Sequence, residues 1–383
     1  MAAVRNGPYA DDLPAYRDAL HRFLGASELD AWRGCYIDDV AEEMQFVSGM
    51  VRTIYDADFG KYGFPVEAGG LGGDVRHWAV MYDELVVAGL PLTGQHSLLT
   101  TLAQPIARYA PHIAATYLAA FARGDEWWGQ GFSEPEAGSD LASLRCRAVL
   151  DGDDYVVSGQ KLWTSHGATA THTVLLCRTG TTESRHKGLS MLFLDNDMPG
   201  VEIRPIYLAS GRAELAECFF DEVRVPADRL IGEAGQGWAV AMYLLQFERA
   251  VYAWQRAAVL LERLEALTRV VPSGDLARRQ LGTAYLDLIG LRARSVETVR
   301  RLAAGETVGP EASADKLLLG AAEQSVYEAA RCLLGEQFAF SSDPAMRRWG
   351  QEWWFSRTTT IYGGAAEVQR GIIADRVLNL PKG

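Results

Sequence analysis

The order of apolar and polar residues divides the chain into three stretches. From Leu13 to about Gly124 apolar residues recur three and four positions apart, as in Tyr16-Leu20-Phe23 and Trp78-Met81-Leu85, which predicts helices that bury one face. The pattern breaks at Lys61-Tyr62-Gly63-Phe64-Pro65-Val66-Glu67-Ala68-Gly69-Gly70-Leu71-Gly72-Gly73, too rich in glycine to continue a helix. That loop reads either as a helix connector or as a wall beside a ligand. Near Asp125 the period shortens, and strands are expected at 127–132, 155–158, 173–178, 189–194, 201–206 and 218–225, separated by turns such as Asp151-Gly152-Asp153 and Pro199-Gly200. Strands so evenly punctuated, with no helices between them, favour a β-barrel or sandwich over a βαβ sheet.

After Gly235-Gln236-Gly237 the helical period returns. Helices are expected from Trp238 towards Leu267, over 276–304, 312–334 and 349–357, and from Glu367 towards Leu378, with a stripe such as Leu319, Val326 and Leu333 in one of them. Packing those stripes together gives a bundle. The expected fold is multidomain α+β, with an N-terminal all-α domain at 1–124, a middle β-barrel or sandwich domain at 125–231 and a C-terminal antiparallel helical bundle at 232–383.

Composition narrows the function classes. A chain of 383 residues, 48% hydrophobic and 22% charged, is long enough for several cores and close to the globular average, so fibrous and disordered architectures are set aside. A formal charge of -12 opposes nucleic acid and anionic membranes as partners, and a small anionic ligand would need a basic pocket of its own. The five cysteines, Cys35, Cys146, Cys177, Cys218 and Cys332, are scattered and contain no Cys-x-x-Cys pair, which argues against a disulfide framework or a metal site and for a reducing compartment. No signal-peptide-like run opens the chain and no uncharged apolar stretch reaches membrane-spanning length, so a cytoplasmic protein is expected.

Two runs carry candidate chemistry. In Gly131-Phe132-Ser133-Glu134-Pro135-Glu136-Ala137-Gly138-Ser139-Asp140, Pro135 stops a helix, Gly138 relieves backbone sterics, and Ser139-Asp140 can turn oxygens and amides inward. This composition suits an anionic or carbonyl-bearing ligand. Further on, Gly159-Gln160-Lys161-Leu162-Trp163-Thr164-Ser165 places an indole and two hydroxyls at the end of a strand, where Trp163 either stacks on a planar heterocycle or fills a core. Arg185-His186-Lys187 is an anion contact or a solvated turn.

These runs, with Tyr62-Gly63-Phe64-Pro65, Gly69-Gly70-Leu71-Gly72-Gly73 and Ile361-Tyr362-Gly363-Gly364 followed by Gln369-Arg370, resemble the acyl-CoA dehydrogenases along nearly the whole chain. Gly131-Phe132-Ser133-Glu134-Pro135 and Phe247-Glu248-Arg249 are most similar to a bacterial branch that includes steroid side-chain dehydrogenases. The resemblance implies non-covalent FAD and removal of two hydrogens across the α and β carbons of an acyl-CoA thioester, with an electron-transfer flavoprotein as acceptor. Such a reaction needs a base for the α-proton, a hydride acceptor, and donors for the thioester oxygen. By motif, Phe132 and Ser133 would contact the flavin, Gly138 and Ser139 would serve the cofactor beside it, Trp163 would pack against the flavin, and Ser165 would hydrogen-bond near N5.

The base departs from the common pattern. Many family members carry a Glu directly after the Ile-Tyr of the C-terminal motif, but Gly363 stands there and has no acid to offer. A second family arrangement places the Glu on the long helix after the β-domain, directly before an Arg, and Glu248-Arg249 occupies that place. Glu248 is therefore expected to be the base, in an apolar setting with Leu244, Leu245 and Phe247. Arg249 orients the site or pairs elsewhere, and the Gly363 N–H would help hold the thioester oxygen. The family's Arg-x-x-Phe-Gly contact to the adenine half of a neighbour's FAD is missing, since no Phe occurs between Ala257 and Leu276, and Ala365 and Glu367 replace a common Thr and Gln. The resemblance implies a homo-oligomer (dimer or tetramer) or a heterotetramer with a paralogous chain. A flavin-poor partner subunit and a flavin monooxygenase on the same fold are the alternative readings, and the thioester carrier is either CoA or a carrier protein.

Overall fold

The computed structural model describes residues 6–381. The chain forms two compact units: the first holds the residues up to Trp78, Thr93–Leu208 and Arg212–Leu245, and the second holds Ala79–Leu92, Ala209–Gly211 and the residues from Gln246 onward. Among the described residues five α-helices precede the strands: α1 (Leu13–Leu24), α2 (Val40–Asp56), α3 (Val75–Val87), α4 (Gly94–Tyr109) and α5 (Pro111–Arg123). Their ends follow local chemistry. Asp12 caps α1 by accepting from the Ala15 N–H, Asp39 caps α2 from the Glu42 N–H, and α5 starts on Pro111 and stops on Gly124 at φ 81°. The glycine-rich loop is closed by its own backbone, Gly63 N–H to the Gly72 carbonyl at 2.8 Å and Gly72 N–H to the Phe64 carbonyl at 3.0 Å. Gly63, at φ 87°, lies so close to the Trp78 indole that a Cβ would overlap it, so these glycines serve internal packing.

Seven strands follow: β1 (Trp128–Gly131), β2 (Arg147–Asp151), β3 (Asp154–Ser165), β4 (His172–Arg178), β5 (Leu189–Asp195), β6 (Val201–Ile206) and β7 (Leu215–Pro226). They make the expected β-domain as one mixed sheet, in which β5 pairs with β4, β1 and β2 both bridge β4 and β3, and β7 and β6 extend the far side. Alternate residues of successive strands, among them Val157, Leu175, Leu192, Cys218 and Val223, meet in one buried cluster.

Two features of the sheet were hidden in the apolar pattern. Strand β2 carries no alternation, because only Ala148 is buried while Val149 and Leu150 are exposed. Strand β3 runs on past Ser158 to Ser165, and its inward positions stay odd-numbered through Lys161 before an extra residue on β3 moves them to Thr164.

The second unit is helical. Helix α6 spans Gly237–Val270, followed by α7 (Asp275–Ala303), α8 (Ala312–Leu334), α9 (Glu336–Phe340), α10 (Pro344–Ser356) and α11 (Ala366–Arg376). Its core joins Leu260, Leu264 and Leu267 of α6 to Leu288 and Leu291 of α7, Leu319, Val326 and Tyr327 of α8, and Trp349 of α10. Helix α10 begins five residues before the expected Trp349, where Asp343 caps the Ala345 N–H and Pro344 opens the first turn, ahead of any apolar stripe. Among the described residues no helix is long and apolar enough to cross a membrane.

Candidate active site

The six residues matched to flavin contacts, Phe132, Ser133, Gly138, Ser139, Trp163 and Ser165, all lie in the first unit. The two runs that contain them are tied together. Lys161, fully buried on β3, donates to Glu134 Oε1 at 2.8 Å and to the Phe132 carbonyl at 2.9 Å, and the Leu162 N–H reaches the Ser133 carbonyl at 2.9 Å. Glu134 also accepts the Arg145 N–H at 2.6 Å and the Cys146 N–H at 2.8 Å. Both of its oxygens are thus satisfied in a site closed to water, which a buried carboxylate requires. Sequence reasoning gave neither Glu134 nor Lys161 a role. The available signal was parity, since a lysine at an inward strand position needs a buried partner.

Beyond Lys161 the strand becomes irregular. Between Lys161 and Thr164 the pairing with β7 gains one residue, Trp163 takes φ 64°, and its side chain stays 51% exposed. The core-filling reading of Trp163 is thereby excluded. A left-handed backbone at a tryptophan carries strain, and here it presents a flat indole at the surface of the unit. Ser165 is half-buried and faces Gln130 of β1. Phe132 has its ring buried and offers its main chain, Ser133 is half-buried, and Gly138 and Ser139 are exposed. Of the basic turn, Arg185 pairs with Asp140 at 2.8 Å and His186 packs its ring on Trp238 at 4.3 Å.

The three residues matched to the chemistry, Glu248, Arg249 and Gly363, lie in the second unit and converge there. Gly363 sits at φ 63° and Gly364 at φ 105°, in a turn whose own bonds, Ile361 and Tyr362 N–H to the Thr358 carbonyl, stop one residue short of Gly363. A Cβ placed on Gly363 would lie 2.9 Å from Glu248 Oε1 and 3.2 Å from Lys316 Cε. The Glu248 carboxylate therefore fills the space that a side chain at 363 would enter. Arg249 is half-buried with Nε 3.4 Å from the Gly363 carbonyl, and burial lowers its pKa against the opposing pull of Glu248.

Below this pair lies a buried polar layer that sequence reasoning did not find. Lys316 of α8 donates to the Thr359 carbonyl and holds its Nζ 4.4 Å from the Tyr362 ring centroid. Burial pushes its amine down to about 8. Glu323, fully buried two turns along the same face of α8, pairs with Arg256 and accepts from Thr359 Oγ1 at 3.1 Å, and the Tyr252 and Tyr362 hydroxyls meet at 3.1 Å. A cavity of ≈ 220 Å³ adjoins Lys316, Thr359, Gly364 and Arg370. Gln369 of the C-terminal motif is buried with neither amide atom bonded.

The chain matches the acyl-CoA dehydrogenase N-terminal, middle and C-terminal domain families over residues 12–125, 129–223 and 235–378. It is 38% identical over 329 residues to acyl-CoA dehydrogenase IpdE1 of Mycobacterium tuberculosis (strain ATCC 25618 / H37Rv), covering 84% of each chain. The chain belongs to the acyl-CoA dehydrogenase family. Among solved structures, the Tcur3481-Tcur3483 steroid ACAD superimposes with a TM-score of 0.83 at 27% identity, covering 97% of this chain and 99% of that one. The ChsE4-ChsE5 complex from Mycobacterium tuberculosis gives 0.79 at 26% identity, covering 98% and 99%. This acyl-CoA dehydrogenase thus keeps the helical, β-sheet and helical order of its family, and is an oxidoreductase.

Proposed function

We propose that the enzyme carries out FAD-dependent α,β-dehydrogenation of an acyl-CoA thioester with Glu248 as the base. The observation that carries this reading is the Glu248 carboxylate seated over the Cα of Gly363, in the space that a side chain there would enter. The residues present fit a flavin: Trp163 turns its indole out from a strained bulge, and the 133–140 loop is pinned through Glu134 while Gly138 and Ser139 stay exposed. Phe132 and Ser133, with Trp163 and Ser165, would hold the ring system, and Gly138 and Ser139 would serve the part beside it. Bound FAD would supply the acceptor for the hydride leaving the β-carbon. Glu248 takes the α-proton, Arg249 steadies the turn through the Gly363 carbonyl, and the Gly363 N–H donates to the thioester oxygen as negative charge develops there.

The similarity to a steroid dehydrogenase supports a bulky, steroid-derived acyl group, and the electron acceptor is an electron-transfer flavoprotein. The domain limits remain those proposed from the sequence, 1–124, 125–231 and 232–383. The test is a set of anaerobic titrations with short, branched, aromatic and steroidal acyl-CoAs. At least one should bleach the flavin of the wild type, and Glu248→Gln should keep its flavin and lose the bleaching. Retained bleaching at the wild-type rate would sink Glu248 as the base.

A second reading is favoured by the missing Arg-x-x-Phe-Gly segment and by the likeness to the Tcur3481-Tcur3483 steroid ACAD and the ChsE4-ChsE5 complex: the enzyme works as a heterotetramer with a paralogous subunit. Flavin absorbance of the chain purified alone decides between a homo-oligomer and this arrangement. Colourless protein that added FAD does not reconstitute favours the latter, or a flavin-poor partner role.

A further inference from the structure

We propose that Lys316 is a positioning residue for Glu248: its ammonium, tied to the Thr359 carbonyl and held over the Tyr362 ring, keeps the Glu248 carboxylate ionised and seated over Gly363. The inference rests on Glu248 being the base. It starts from a convergence of three elements on one point. A Cβ on Gly363 would meet Glu248 Oε1 from α6 and Lys316 Cε from α8, so the acid and the stem of the lysine bracket the same small volume. The lysine is 4% exposed, too deep for a solvated surface cation. A buried ammonium needs both hydrogen-bond acceptors and a counter-charge.

The charges around it identify the counter-charge. On α8, Glu323 is already engaged by Arg256 of α6 and by Thr359 Oγ1, while Asp315 turns away to Ser295, Thr298 and Arg294. On α6, Arg249 adds a second cation. The C-terminal motif contributes the neutral face of Tyr362, and Arg370 stands at the adjoining cavity. Glu248 is the carboxylate with the greatest pull on the Lys316 charge. The effect is reciprocal, because a neighbouring positive charge favours the ionised form of a carboxylate.

The test compares Lys316→Met and Lys316→Arg with wild type in the pH profile of kcat/KM, using the thioester that bleaches the wild-type flavin fastest. Flavin content and melting temperature serve as folding controls. Lys316→Met should move the acid limb upward by about 1 pH unit or more. Lys316→Arg, which keeps the charge, should restore the limb towards its wild-type place. An unmoved limb in a folded, flavin-loaded Lys316→Met overturns the proposal. If that variant does not fold, Lys316→Gln carries the same comparison, and loss of fold in both neutral variants would show a purely structural cation and also overturn it. Glu248→Gln separates the two claims: an inactive Glu248→Gln with an unmoved Lys316→Met limb refutes only the role of Lys316, whereas an active Glu248→Gln refutes the base.

Discussion

The two candidate regions handle buried charge in opposite ways. In the first unit the buried Lys161–Glu134 pair is closed: both carboxylate oxygens accept hydrogen bonds, and the lysine ties the Phe132 carbonyl and Glu134 to β3. In the second unit several charges lie close together around one turn. Glu248, Arg249 and Lys316 gather around Gly363, and the Glu323–Arg256 pair lies beneath them. A closed pair makes scaffold, because any change of protonation inside it is costly. A cluster of neighbouring charges can tune a titrating group, which is where proton chemistry is placed. Under the proposed function, cofactor support falls to one unit and proton chemistry to the other.

The largest effect should come from opening the closed pair. Lys161→Met leaves Glu134 buried without its cation and should cost about 3–5 kcal/mol of stability with loss of flavin, measured by denaturant titration and absorbance. Wild-type stability in that variant would remove the scaffold role. Next comes acid. Burial pushes His96, which accepts the Thr93 N–H at the start of α4, down to about 4. Its folded pKa is below the unfolded value near 6.5, so stability is intact above about pH 6.5 and is lost as pH falls towards 4, by roughly 3 kcal/mol in total. Melting curves across that range should flatten in His96→Gln, and an unchanged pH slope would contradict the assignment. Gly363→Ala should crowd Glu248 and place a Cβ at a left-handed φ, slowing turnover about tenfold or more while flavin stays bound. The smallest change is expected at the exposed Arg185–Asp140 pair, where Arg185→Ala should alter stability by less than about 1 kcal/mol.

Much of this was legible in sequence where chemistry is local. The helical region from Leu13, the strands with apolar runs and the α8 stripe of Leu319 and Val326 follow from spacing. The strand β2, with one buried side chain, and the start of α10, set by Asp343-Pro344 before its apolar residues, left no periodic trace. The site divides similarly. Trp163, Gly363 and Glu248 stand in motifs, whereas Glu134–Lys161 and Lys316–Thr359 join residues 27 and 43 positions apart through burial alone. Strand parity can flag Lys161 as inward, but the partner in each pair cannot be read from spacing until the chain has folded.

The most direct measurement of the central claim follows the proton itself. A thioester whose β-carbon is replaced by sulfur can lose an α-proton but cannot give up a β-hydride, so its exchange in deuterated buffer reports the base alone. The wild type should exchange that proton catalytically, followed by NMR, and Glu248→Gln should slow the exchange by about 10²–10⁴-fold with its flavin still bound. Exchange at the wild-type rate in Glu248→Gln would contradict the account.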